Sequence, residues 1–493
     1  MKKLFSCAVS VLLCALILFA FAVSAAAENS DSSADSEPEQ PDKPEASVIS
    51  GAYDGITELT VELNGAGKIY YTTDASLPTE NSSEYTSPLK LRETTILRAI
   101  SVLPDGQCSK TATFSYFINE NHTLPILSLV NDSKEDFDKL YFSRKKDIEL
   151  PSFLALYEDG EEVFAKECGI QIKGNLSRSE AKVSLGAYFR GKYDGKIKDC
   201  DLFGNGITKY SSLSLRAGQD WKNAVFRSEL FQTLCMEMSD SVPNQHTKFC
   251  ILYIDGIYKG IYCLKENINE HFYADWAGVD SDTVISIKGP AGMEDDVFDI
   301  IYFGQTKNMA DPANYEYFCS KFDIDNLIDW AIIEGYSGNN DTMGNIRYFR
   351  STEGDGKYRI ALYDLDFGFV DLYCVMMNVL DGQGTAGPQV EALLNSLFKN
   401  PDFKDRFLTR FSSLLKTTLS NEHVLSVMKQ FEDELSGEID RSFGMYDMRR
   451  LDWEYSVQKL EKFLISNDME AYAAHRLCSH LMLKPDEIKK YFG

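Results

Sequence analysis

Four oxygen-bearing side chains fall in two short stretches of the C-terminal half of this 493-residue chain. Asp341 and Asn345 lie in GNNDTMGNIRYFR (338–350), and Asp364 and Asp366 lie in YRIALYDLDFGF (358–369). In the first, a polar loop leads into a strand-forming run; in the second, such a run leads into the acids. Carboxylate and amide oxygens gathered at adjacent strand ends are the donors a hard divalent cation prefers. Asp364 and Asp366 are two apart, so a regular strand would point both to one side. Side by side they repel each other unless a cation neutralises them. Aspartates that turn into solvent past the strand end account for the spacing equally well.

Phosphoryl transfer makes a further demand. It needs one carboxylate to orient the attacking hydroxyl and others to hold metal over the phosphates. Asp341 upstream and Asp364 with Asp366 downstream fit that division. Asp366-Phe367-Gly368 spells the metal tripeptide of protein kinases, but no G-x-G-x-x-G loop precedes these acids and no H-R-D triplet occurs, which excludes an ordinary protein kinase.

The elements that must position these acids can be read from periodicity. Strands are expected at 124–130, 151–159, 167–178, 247–256 and 257–266, with Asp255-Gly256 as a hairpin turn. Helices are expected at 224–238 and 324–338, then strands at 346–350 and 358–369. After these, Phe403, Phe407, Phe411 and Leu414 mark a helical apolar face. Strands first and helices after indicate an α+β arrangement over 119–493.

Ahead of it, 48–118 reads as a small all-β sandwich module, with Leu59, Val61 and Leu63 alternating against polar residues. Residues 28–47, acidic and Ser/Pro-rich, read as a disordered linker. Residues 1–27 read as a signal peptide, with MKK, an apolar run from Leu4 to Val23 and cleavage after Ala25-Ala26-Ala27; an uncleaved anchor is the alternative. A secreted or cell-surface location follows, with no membrane contact after cleavage. The net charge of −25 argues against nucleic acid and favours basic partners. The cysteines after residue 27 include no C-x-x-C pair, and we expect them as small buried apolar groups rather than a disulfide framework.

Several motifs, in order, carry a family resemblance. GIQIKGNLSR (169–178), SSLSLRAGQDWKNAVFRSELFQTL (211–234), LYIDGIYKGIYCLKENIN (252–269), NNDTMGNIRYFR, YDLDFGF and LNSLFKNPDFKDRFLTRFSSLL (394–415) together resemble the spore coat protein H (CotH) kinase family. IYYTTDASLPT, in the β module, resembles the domain at the C-terminus of chitobiase/β-hexosaminidase enzymes.

The CotH resemblance implies an atypical protein-kinase-like, two-lobed domain over 119–493, using ATP with Mg²⁺ or Mn²⁺ to phosphorylate Ser or Thr of basic proteins. It places Asp341 as the catalytic aspartate that accepts or orients the hydroxyl, and Asp364, Asp366 and Asn345 as metal ligands. Lys182 is the candidate phosphate-binding lysine, with Arg178 and Glu266 as further nucleotide-binding candidates. Arg216 and Arg227 are cations open to anions or to salt bridges. The competing expectation is a secreted scaffold on the same fold, attached to cell wall or polysaccharide through the β module. A glycoside hydrolase is disfavoured, since no paired-carboxylate site accompanies that module.

Overall fold

Each strand between Ile126 and Glu266 turns an apolar face to a shared interior, and together they close around it. In the computed structural model, which describes residues 40–493 apart from 291, 293, 294 and 382–386, these strands form a seven-stranded barrel. The order is Ile126–Asn131, Leu150–Glu158, Glu161–Ile172, Leu185–Tyr188, Ser212–Arg216, Ile257–Glu266 and Thr247–Ile254. All pairs are antiparallel except the closing one, where Thr247–Ile254 runs parallel to Ile126–Asn131. Alternation sorts the side chains. Cys250, Leu252 and Ile254 fill the barrel with Leu127 and Leu129, while Phe249, Ile251 and Tyr253 face out into the larger core shared with the helices. Asp255 and Gly256 both have positive φ, as a tight two-residue hairpin requires.

The helix Arg227–Met238 packs against Ile324–Ser337, whose residues are almost all buried. Asp323 caps this second helix by accepting from the amides of Asp325 and Asn326; Gly338, at φ +58°, ends it. A β-carbon on Gly338 would come within 2.9 Å of the Val375 nitrogen, so the turn that launches the Asp341 loop needs glycine. Beyond lies a three-stranded sheet of Val284–Lys288, Arg347–Ser351 and Arg359–Ala361, followed mainly by helices to the C-terminus.

The strand expected across 358–369 is shorter. It ends at Ala361, and the Leu362 amide donates to Pro243 instead of to the sheet. Buried Leu362 and Leu365 pull the chain into the core. Asp364 therefore sits in a loop, at φ +56°.

The N-terminal module has a five-stranded sheet, Gly51–Tyr53, Ala112–Ile118, Thr95–Val102, Lys68–Thr72 and Ser83–Glu84, beside two strand pairs. Val61, Leu63, Ile69, Leu97 and Tyr116 fill it. The segment expected as a linker joins this module at its end, since Glu45–Ala46 pairs with Leu63–Asn64. The signal segment and residues 28–39 lie outside the described residues. Among the described residues no helix is long and apolar enough to cross a membrane. The nine described cysteines are all free.

Candidate active site

Three chain segments converge where the barrel meets the helices. The strand Ser212–Arg216 delivers Arg216. The loop after Gly338 delivers Asp341, just before the short helix Thr342–Asn345. The loop after Ala361 delivers Asp364 and Asp366. Arg216 joins two of these. Its Nη1 donates to Asp366 Oδ1 (3.0 Å), and its Nη2 donates to Asp364 Oδ1 (2.6 Å) and Asp366 Oδ2 (2.8 Å). The Gln219 amide adds a bond to Asp366 Oδ2 at 2.7 Å. Gly218, between them, has φ +74°, and a β-carbon there would press on Arg216 at 2.8 Å.

The three carboxyls are electrostatically distinct. Burial pushes Asp366 up, but Arg216 and the Gln219 amide outweigh it and hold the group below its ordinary range. Burial also raises Asp364, and there Arg216 does not fully compensate because the Asp366 charge adds to the rise. Asp341 is raised by burial, against a hydrogen bond from Asn345. The Asn345 Nδ2 donates to the Asp341 carbonyl (3.0 Å) and to Oδ2 (3.3 Å). The Asp364 side chain is 32% exposed and that of Asp366 3%, so Asp364 is the one that can meet a ligand.

These groups line a cleft of about 810 Å³. The same lining carries Lys146, Lys173, Lys288 and Arg347. Among the described residues none of these four has a carboxylate within 4.0 Å. Two of the four are depressed by neighbouring cations. Burial lowers Lys173 to about 8, with Lys288 and Arg347 adding to the fall, and burial followed by Arg347 and Lys146 lowers Lys288. Burial lowers Arg347 too; its guanidinium lies 4.3 Å from the centre of the Tyr363 ring. Unpaired cations facing one another in a cleft are relieved by an anion.

Comparison with known families decides where this site belongs. The family model described as CotH kinase protein matches residues 170–470, more than half the chain and every segment that lines the cleft except the one carrying Lys146 and Asp147. The chain belongs to the CotH kinase family. A second model, described as Fn3 associated, matches the β module at residues 58–116. A search of curated proteins found no match.

Within this CotH domain the structure brings together Asp341, Asn345, Asp364 and Asp366, all of which line the cleft. It does not bring Lys182, Arg178 or Glu266 to that lining. Lys182 is 3% exposed; its Nζ donates to the Ile261 carbonyl and lies 4.6 Å from the centre of the Tyr262 ring, and burial lowers it to about 7. Arg178 bonds the carbonyls of Asn175 (3.2 Å) and Arg144 (2.8 Å), tying two loops together. Glu266 accepts from the His246 amide at 2.8 Å and pairs with its ring at 2.9 Å. Arg227 is structural here, bonded to Asp220 (3.3 Å) and the Gly368 carbonyl (2.8 Å). The residues that sequence reasoning missed are the cations of the lining. Lys173 was visible only as the basic residue in the GNLSR-type motif; Lys146 and Lys288 carried no signal. A G-x-G-x-x-G spacing does occur at Gly382, Gly384 and Gly387, but it follows the acids, and 382–386 lie outside the described residues.

The donor set can be tested against the divalent metal that the family name implies. Among the described residues no three His, Cys, Asp or Glu side chains converge into a metal cage. Asp366 is occupied by Arg216 and Gln219, which leaves hard oxygens from Asp341, Asp364 and Asn345. This fits Mg²⁺ or Mn²⁺ held by one or two carboxylates with phosphate and water supplying the remaining ligands, and not a metal held by protein alone.

Proposed function

We propose that this CotH-family chain is an exported atypical protein kinase, two-lobed about this cleft, that transfers the terminal phosphoryl group of ATP to Ser or Thr of basic proteins. The observation that carries the reading is one cleft lined both by Asp341 and Asp364 and by four cations with no carboxylate within 4.0 Å among the described residues, Lys146, Lys173, Lys288 and Arg347. A metal–polyphosphate is the ligand class that satisfies both at once. In the reaction the hydroxyl oxygen bonds to phosphorus, the bond to ADP breaks, and the hydroxyl proton passes to the Asp341 carboxylate. Its raised basicity suits that role. Lys173, Lys288 and Arg347 hold phosphate oxygens, while Asp364 and Asn345 offer oxygens to the metal, which neutralises charge on the transferring group when bound. The overall charge of −25 favours basic substrates.

A second reading, a secreted scaffold anchored to cell wall or polysaccharide through the β module, draws on Arg216. Its guanidinium already bonds both oxygens of Asp366 and one of Asp364. The deciding experiment takes the purified chain with ATP and Mg²⁺ or Mn²⁺, using calorimetry and labelled-phosphate transfer to an Arg/Lys/Ser-rich peptide. We expect binding that Lys173→Ala weakens by about tenfold or more, and transfer that Asp341→Ala abolishes. No nucleotide binding with either metal would sink the kinase reading and leave the scaffold.

A further inference from the structure

A carboxyl group outside the lining of this cleft lies behind Asp341 and Asp364. Glu334, on the last turn of the helix Ile324–Ser337, is 2% exposed. Its Oε2 accepts from Thr342 Oγ1 (2.9 Å) and from Asn339 Nδ2 (3.2 Å). Asn339, wholly buried, reaches both acid-bearing segments. Its Oδ1 accepts from the backbone N–H of Asp341 (3.2 Å), and its Nδ2 donates to the Asp364 carbonyl (3.3 Å). On the other side Asn378 Nδ2 donates to the carbonyls of Glu334 (2.8 Å) and Asn339 (3.1 Å). One amide side chain thus bonds the main chain at Asp341 and at Asp364, and one carboxyl orients that amide.

The chemistry of the groups narrows what this network does. A buried carboxyl is costly unless its bonds are made. An apolar residue facing an apolar partner would pack this helix end without that cost. Asp364 also has a left-handed backbone, at φ +56°, which persists only where surrounding bonds impose it. The Asn339 bond falls on that residue's own carbonyl.

We propose that Asn339 and Glu334 are positioning residues of this site. Asn339 fixes the separation of the Asp341 and Asp364 carboxyls by bonding both main chains, and Glu334 holds the Asn339 amide in the orientation that does so. The inference rests on the kinase reading for its consequence in rate. The tie between the two segments is independent of that reading.

The test uses the full chain and the variants Asn339→Ala, Glu334→Leu and Glu334→Gln. Asn339→Ala is expected to lower kcat about 30-fold while KM for ATP stays within about threefold, because geometry rather than nucleotide contact is lost. Glu334→Leu should behave likewise, and Glu334→Gln, which keeps an acceptor for Asn339, should return to within about threefold of wild type. Amide hydrogen exchange supplies a readout without turnover. In Asn339→Ala, the amides of 341–345 and 364–366 should accelerate together while the barrel strands stay protected. The inference is overturned if kcat of Asn339→Ala stays within about threefold of wild type, if Glu334→Gln falls as far as Glu334→Leu, or if the two segments accelerate independently. Should Asn339→Ala not fold, the two Glu334 variants carry the same comparison. If wild type itself transfers no phosphate, the kinase reading fails, and the exchange data alone decide whether the two segments are tied.

Discussion

Asp364 and Asp366 are two residues apart and share one guanidinium, yet they end in different states. Asp366 receives both Arg216 nitrogens and a main-chain N–H, so it is fixed as an anion; Asp364 receives one bond and keeps a third of its side chain in the cleft. The sequence carried the residue types and the pairing but not this division, because the division depends on which carboxyl faces the strand that ends in Arg216. Lys182 and Lys173 make the same point in reverse. Each lies beside the GNLSR loop, and only the direction of the side chain separates an amine buried over Tyr262 from one in the cleft. Glu334 gives this scale its pH prediction. Burial raises it to about 7, with Thr342 and Asn339 opposing and the Asp364 and Asp341 charges adding. A carboxyl raised in the folded state costs stability where it is charged, above pH 7. That cost is relieved as pH falls toward its ordinary range, since the folded chain then takes up the proton first. Glu334→Gln removes the charge at every pH. Urea unfolding should therefore favour Glu334→Gln over wild type more at pH 8 than at pH 5.5, by on the order of 1–3 kcal/mol. An equal difference at the two pH values would show that the group does not titrate in this range.

At the scale of elements, what was legible had local causes. The Asp323 cap and the Gly338 stop bound the helix Ile324–Ser337, and Asp255-Gly256 forced the hairpin that sets the register of Thr247–Ile254 with Ile257–Glu266. What failed was the continuation of a strand through Asp364, where tertiary burial of Leu362 and Leu365 won over local pattern. The pairing of Lys265 with Glu229 was also hidden, since the partners come from a strand and a helix with no shared spacing. Lys265 Nζ lies 2.6 Å from Glu229 Oε1 and donates to Gln232 Oε1 at 2.9 Å, with both charged side chains 2% exposed or less. Strand alternation then sends the neighbouring Glu266 to the opposite side, toward His246. This pair ties the helix Arg227–Met238 to the strand Ile257–Glu266 directly behind Arg216, which itself lies 3.9 Å from Glu229. Lys265→Met should cost about 3–5 kcal/mol in denaturant unfolding, because it strands a buried carboxylate. Adding Glu229→Leu should recover much of that loss, since replacing both charges by apolar groups removes the desolvation cost as well. A double variant no more stable than Lys265→Met would mean that the carboxylate is already compensated, with Arg216 the nearest other cation.

The whole molecule adds a constraint that neither motif nor pattern announced: the β module is fastened to the barrel and not merely tethered ahead of it. Ile96 and Phe117 of the module belong to the same buried core as Tyr157 and Tyr253 of the barrel, and the Phe117 ring meets those two tyrosines at 5.7 and 4.8 Å. The Ser115 and Ser128 hydroxyls bond across the boundary at 2.9 Å. Gly256 sits against Ile96, where a β-carbon would come within 3.2 Å of its Cγ1. Arg98, 1% exposed, reaches from the module to Asp132 (2.7 Å) and the Asn131 carbonyl (3.2 Å). A sequence shows where a module ends, but a buried contact surface between two apolar faces looks the same as core within either. Such an interface, sealed by a buried cation, predicts that module and barrel unfold together. Calorimetry of wild type should give one cooperative transition covering both. Arg98→Ala removes the donor for Asp132 and leaves the Asn131 carbonyl without its guanidinium partner. It should destabilise the chain by about 3 kcal/mol and split the transition, with the module melting first and proteolysis opening the 119–125 connection. Two transitions already present in wild type, or an unchanged single one in Arg98→Ala, would mean that the module is only a neighbour. In the fastened case whatever the module binds fixes the orientation of the cleft as well as its location, because no flexible joint lies between them.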